Sequence, residues 1–179
     1  MLPKVVAVVA RERNGHISDT SPQTEIEETI RETTRAIEQD SSNAQAYFKR
    51  GNAFSNMGDY DRAIDDLSKA IELSPSNSMA FNNRGMAHLC IGEFAEAIVD
   101  LCRSIEIDPS YRDAYHNRGL AYSELESIDE AIDDMTRAIE IDPEFWSAYR
   151  HRGIFYWMKG NSKASYDDYL KSKELQGLE

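Results

Sequence analysis

The chain has 179 residues, 41% of them apolar, and a formal net charge of −12. That is the length of one ordinary domain, with enough apolar content for a buried core, which excludes a disordered polypeptide. The acidity argues against nucleic acid and anionic membrane as partners, and two cysteines, Cys90 and Cys102, make no disulfide framework, so a reduced, cytoplasmic protein is the expectation.

Residues 1–23 read as a flexible leader ending in a loop. The apolar run Val5 to Ala10 within MLPKVVAVVARER is too short for a secretory core or a bilayer span. Its functional alternative is a short segment that docks on the rest of the protein or on a partner. Residues 24–43 turn helical, with Ser21 or Thr24 placed to cap and Glu25, Glu27 and Glu28 at the positive end. The tail Arg35-Ala36-Ile37-Glu38 aligns with Lys69-Ala70-Ile71-Glu72, so this segment reads as an N-terminal capping helix, the second half of a repeat without its first.

From Ala44 onward one frame returns every 34 residues. Gly51 becomes Gly85, Gly119 and Gly153; Ala63 becomes Ala97 and Ala131; Pro75 becomes Pro109 and Pro143. An aromatic stands four residues ahead of each glycine, at Tyr47, Phe81, Tyr115 and Tyr149. Four copies follow without insertion, at 44–77, 78–111, 112–145 and 146–179. Within the first copy Tyr47, Gly51 and Phe54 share one helical face, and Ala63, Ile64, Leu67, Ala70 and Ile71 share another. Gly58-Asp59 makes the turn between them and Pro75 stops the second helix. Gly51 and Ala63 let the two axes approach, so Ala97→Leu is expected to disrupt its hairpin, whereas Asn117→Ala is expected to leave stability unchanged. The fourth copy departs from the frame at Ser165 and Gly177 and has Lys171 and Lys173, which reads as a solubilising C-terminal cap.

The frame aromatic-x-x-x-Gly-x-Ala, then Gly-x-aromatic-x-x-Ala, Ala and Asp-Pro, resembles the tetratricopeptide repeat (TPR) family; Glu126 departs from it where a glycine is usual. The resemblance implies an all-α solenoid of antiparallel helix pairs forming a right-handed superhelix, and a concave face lined by first helices that takes an extended peptide.

An Arg precedes every frame glycine and an Asp follows it by sixteen residues: Arg50 and Asp66, Arg84 and Asp100, Arg118 and Asp134, Arg152 and Asp168. Antiparallel pairing brings these together, so each pair is expected to brace a hairpin; an arginine ladder for an anion is the functional alternative. By the resemblance, the groove candidates are Lys49, Asn52, Asn82, Asn83, Met86, His116, Asn117, Leu120, Arg150, His151 and Trp157. Asn83 and Asn117 share a frame position, and amides there could hold a peptide backbone, or simply be solvated surface. The family's carboxylate clamp is not kept: Asn52 and Asn83 remain, but Phe48, Asp113 and Asn117 stand where its cations would be.

No catalytic constellation or phosphate loop is legible, and the histidines fall at no metal-ligand spacing, so neither enzyme activity, cofactor nor metal is expected. His88, at the position of Tyr122 and Tyr156, reads as a packed core residue. The expected function is a non-catalytic scaffold, monomeric or weakly self-associating, that binds a protein or an extended peptide segment. The alternatives are a self-assembling structural module and a regulatory subunit of a larger complex.

Overall fold

The computed structural model describes residues 22–178. All its regular elements are helices: α1 (Pro22–Gln39), α2 (Ala44–Met57), α3 (Tyr60–Leu73), α4 (Ser78–Ile91), α5 (Phe94–Ile107), α6 (Arg112–Glu124), α7 (Ile128–Ile141), α8 (Trp146–Met158) and α9 (Ser162–Leu175). Of the leader read over residues 1–23, the part up to residue 21 lies outside the described residues, whereas Pro22 and Gln23 belong to α1, so the helix starts two residues earlier than expected. Thr24 does not cap α1, because the helix already includes Pro22.

The helices pair as antiparallel hairpins, α2 with α3, α4 with α5, α6 with α7 and α8 with α9, and each hairpin packs on the next. α1 lies against α2, where a preceding second helix would sit. Consecutive first helices also touch directly, α2 with α4 and α4 with α6, which places them on the inside of the curve. The result is an all-α solenoid whose core runs along its length. Leu89, Leu101, Leu120, Met135 and Phe155 fill one continuous cluster, while Phe54 and Leu67 fill another that Ile30 of α1 closes.

The hairpin seam is set by absent side chains. A Cβ on Gly85 would lie 2.9 Å from Leu101 Cγ and 3.1 Å from the Ala97 carbonyl oxygen, and the backbone atom cannot yield. Ala63, Ala97 and Ala131 are buried opposite the frame glycines. Between the helices of a hairpin, Gly58 (φ 80°), Gly92 (φ 85°) and Gly160 (φ 76°) adopt the left-handed conformation that ends the first helix. Glu126 holds the same frame position at φ 61°, a conformation costly for a residue with a Cβ.

Two stability results follow from this packing. Ala97→Leu should lower thermal stability by about 1–3 kcal/mol through overpacking against α4, whereas Met79→Ala, on the exposed side of α4, should leave it unchanged. Glu126→Gly should raise stability by about 1 kcal/mol by relieving the left-handed backbone. Chemical denaturation of the three variants measures both effects.

Candidate functional site

The four Arg–Asp pairs lie inside the hairpins, not in an open groove. Arg50 Nε is 2.7 Å from Asp66 Oδ2 and its Nη2 is 2.8 Å from Oδ1. The same two-pronged fork joins Arg84 to Asp100, Arg118 to Asp134 and Arg152 to Asp168, at 2.6–2.9 Å. All four aspartates are buried. The third prong reaches backward along the array. Nη1 of the four arginines donates to Thr34 Oγ1 (3.1 Å), Ser68 Oγ (2.9 Å), Cys102 Sγ (3.1 Å) and Thr136 Oγ1 (3.1 Å), each on the helix preceding that hairpin. Each guanidinium also lies 5.5–5.8 Å from the centre of the frame aromatic three residues before it. Hydrogen bonding to Asp134 raises the pKa of Arg118 well above its ordinary value, so the charge is permanent. With all three nitrogens engaged inside the array and a buried carboxylate already paired to each charge, the arginines serve the hairpins rather than an anion ladder. Thr34, Ser68, Cys102 and Thr136 were legible in principle, since they recur sixteen residues before each Arg as the aspartates recur sixteen after.

The eleven groove candidates separate into three groups. Asn82, His116, Asn117, Leu120 and His151 are buried, at 3%, 6%, 7%, 1% and 5% exposure, which corrects their assignment as peptide contacts. Adjacent first helices come so close that these side chains meet each other. Asn117 Nδ2 donates to Asn82 Oδ1 (2.9 Å), Asn82 Nδ2 to Asn83 Oδ1 (3.0 Å), and Asn83 Nδ2 to Asn52 Oδ1 (2.8 Å), a relay of amides across three repeats. Asn117→Ala would therefore leave a buried carbonyl oxygen unpaired and is destabilising, contrary to the expectation above.

The second group stays open. Asn52, Asn83 and Met86, with Ser55 and Asn56, line a pocket of about 210 Å³ on the inner side of α2 and α4. Ser55 Oγ is the one buried side-chain polar atom among the described residues without a hydrogen-bond partner. Lys49 is exposed on the same helix. The third group, Arg150 and Trp157, belongs to a different cleft, between α8 and α9.

One seam further on, His116 Nε2 and His151 Nδ1 lie 3.0 Å apart, with Ser147 Oγ 3.3 and 3.4 Å from them. This pair occupies the frame positions of Asn82 and Asn117. Burial is the main cause that lowers both pKa values, to about 4 for His116 and about 3 for His151, so both rings are neutral and one donates to the other. His88 is not a core residue: half-buried, it pairs through Nδ1 with Glu93 Oε2 at 2.6 Å. Among the described residues no group of three or more His, Cys, Asp and Glu side chains could hold a metal ion, and no helix is long and apolar enough to cross a membrane.

Because both folded pKa values lie below the unfolded value of about 6.5, the unfolded state binds more protons between that pH and the folded values. Stability should then fall as the pH drops below about 6.5, by roughly 3 kcal/mol for His116 alone by about pH 4, and level off beneath the folded values. The double variant His116→Asn/His151→Asn copies the Asn82–Asn117 pairing one seam along and should show a flatter profile between pH 6.5 and 4.5. Denaturation midpoints across that range test this, and equal slopes in the two proteins would refute it.

Against known proteins, the tetratricopeptide-repeat profile matches residues 44–77 and 113–145, and a TPR-repeat profile matches residues 91–126. No curated protein matches the sequence. The crystal structure of MamA is similar at 26% identity and TM-score 0.79, the match covering 91% of this chain and 97% of that one. YrrB, a TPR protein with an unusual peptide-binding site, is 25% identical over 86% of this chain and 79% of its own, with TM-score 0.72. The first TPR of Spaghetti (RPAP3), bound to the HSP90 peptide SRMEEVD, is 30% identical over 68% of this chain and 96% of its own, with TM-score 0.65. With the repeat frame, the helix hairpins and these likenesses in agreement, the protein belongs to the tetratricopeptide-repeat family.

Proposed function

We propose that the protein is a non-catalytic interaction scaffold that binds an extended peptide segment on its inner face, anchored where α2 and α4 meet. The observation that carries this reading is the pocket formed by Asn52, Ser55, Asn56, Asn83 and Met86. Asn83 is held on both sides by other amides, so its orientation is fixed. The Asn52 amide nitrogen makes no hydrogen bond among the described residues, and the Ser55 hydroxyl beside it has no partner. A peptide backbone carbonyl accepts from the Asn52 amide without regard to side-chain identity, and the buried Ser55 hydroxyl joins only by turning about χ1. Met86 adds a polarizable, adaptable surface for one flanking side chain.

The likeness to the peptide-bound TPR of Spaghetti and to YrrB supports peptide binding as the general mode. The acidic terminus in SRMEEVD, however, finds few matching cations here. Phe48 is packed into the core cluster, Asn117 is buried, and Asp113 accepts from Arg112. Lys49 is the exposed cation nearest the pocket in sequence, so an acidic side chain on the ligand belongs beside it; the buried His151 cannot serve that role. Affinity should be modest, since ordering a flexible peptide offsets much of the contact energy.

A peptide selected from a random display library on the full protein supplies the probe. Its titration against Asn52→Ala/Asn83→Ala should show binding at least about tenfold weaker than to wild type, with folding retained by circular dichroism. Unchanged affinity would remove this pocket from the binding face.

A further inference from the structure

The fourth hairpin reads in sequence as a solubilising C-terminal cap, yet its outward side carries exposed aromatic rings. Trp157, Tyr166, Tyr169 and Leu170 are 60%, 60%, 53% and 46% exposed, and Ile154 lies among them. Ile154, Trp157, Tyr166 and Tyr169 line a cleft of about 430 Å³ between α8 and α9. One repeat earlier, the residues at the positions of Ile154, Tyr166 and Tyr169 are Leu120, Ile132 and Met135, all buried in the core that α8 helps to close. The cleft is thus the array's own packing seam continued to its last hairpin.

The chemistry at this end differs from that of an inner seam. Leu170 stands where Thr34, Ser68, Cys102 and Thr136 offer an acceptor to the next repeat's arginine. A following repeat with its own guanidinium would find no partner there. Aliphatic residues have given way to tyrosines, whose rings are apolar while their hydroxyls tolerate water, a composition of separable interfaces. Among the described residues, α1 exposes Glu25, Glu27, Glu28, Glu32 and Arg35 while Ile30 is turned inward, so contact between α1 and this face would set charges on aromatic rings. The acidity also lies elsewhere: α9 has three lysines against three carboxylates, although the net charge of the whole protein is −12. The cation that lines the cleft is Arg150, and the rings beside it suit a guanidinium, so two such ends meet without a concentration of carboxylates between them.

We propose that this face binds the same face of a second copy, making a closed, two-fold, tail-to-tail dimer through α8 and α9. A self-complementary patch of rings generates such symmetry, and the contact terminates rather than extends the assembly. The inner pocket at α2 and α4 lies at the far end of the array and stays open in both copies.

Sedimentation equilibrium of the full protein over a concentration series tests this. The wild type should show a monomer–dimer equilibrium, and Tyr166→Asp/Tyr169→Asp should weaken association at least about tenfold with the thermal melt unchanged, since both side chains are exposed. Tyr166→Lys/Tyr169→Lys should likewise be monomeric, and mixing the two variants should restore dimers, because only a face meeting itself brings the opposite charges together. A wild type that stays monomeric, a dimer indifferent to either variant, or a mixture that fails to associate would each overturn the proposal.

Discussion

The three-pronged guanidinium that recurs every 34 residues is the interaction on which the array depends. Each arginine sits on a first helix, grips the aspartate of its own second helix with two parallel bonds, and reaches the hydroxyl or thiol of the helix before. Three elements are therefore joined at one point. The seam around it is built from glycine and alanine, which permit close approach but supply little apolar area. A buried ion pair often adds little net stability, yet breaking one costs about 3–5 kcal/mol. A hairpin that slipped by one residue would leave a buried carboxylate unpaired. The fork thus fixes register, and because it reaches one hairpin back, it fixes the stacking of neighbours as well. In a linear array, where each repeat contacts only those beside it, such a device has to be repeated at every junction.

The same close approach decides what the inner face can do. First helices on the inside of the curve touch directly, so side chains that point toward the groove in a single hairpin meet their counterparts from the next. Polar residues there must satisfy one another. The amides of Asn52, Asn83, Asn82 and Asn117 do so as a relay, and the imidazoles of His116 and His151 do so as a pair. Groups used in this way are lost to a ligand, but they hold the few that remain open in one orientation. Asn83 is the case in point, since it is both a link in the relay and part of the pocket wall.

The hairpins and the Arg–Asp pairing were legible in the sequence because each rests on spacing within one helix pair, and a period of 34 prints that spacing four times. The acceptors Thr34, Ser68, Cys102 and Thr136 are printed just as regularly. They are hard to read because three residue types share the position and only the donor's reach shows what unites them. The groove was legible only in part. A helical wheel gives the direction of Asn117 or Leu120 but not the distance to the next first helix, and that distance separates a surface amide from a buried one. Periodicity also misleads at the ends. Ile154 occupies the position of Leu120, but burial of that position depends on a neighbour that follows, not on the residue itself.

A solenoid differs from a closed domain in having two faces that its own repeat rule leaves uncovered, and the chemistry placed there determines what the array becomes. Charge on an end face keeps it solvated, because any contact there would have to desolvate carboxylates and guanidinium groups. Apolar rings on an end face reverse that balance, since their burial is favourable wherever a complementary surface exists. The described residues hold a face of each kind: α1 exposes glutamates and arginines, while α8 and α9 expose Trp157, Tyr166 and Tyr169. An array with two charged ends stays single, and one with two matching repeat ends polymerises. An array with one of each is limited to a single contact through its apolar end. Residues on such a face are separate from those of the inner face, so the pocket between α2 and α4 and the aromatic face can change in sequence without constraining each other.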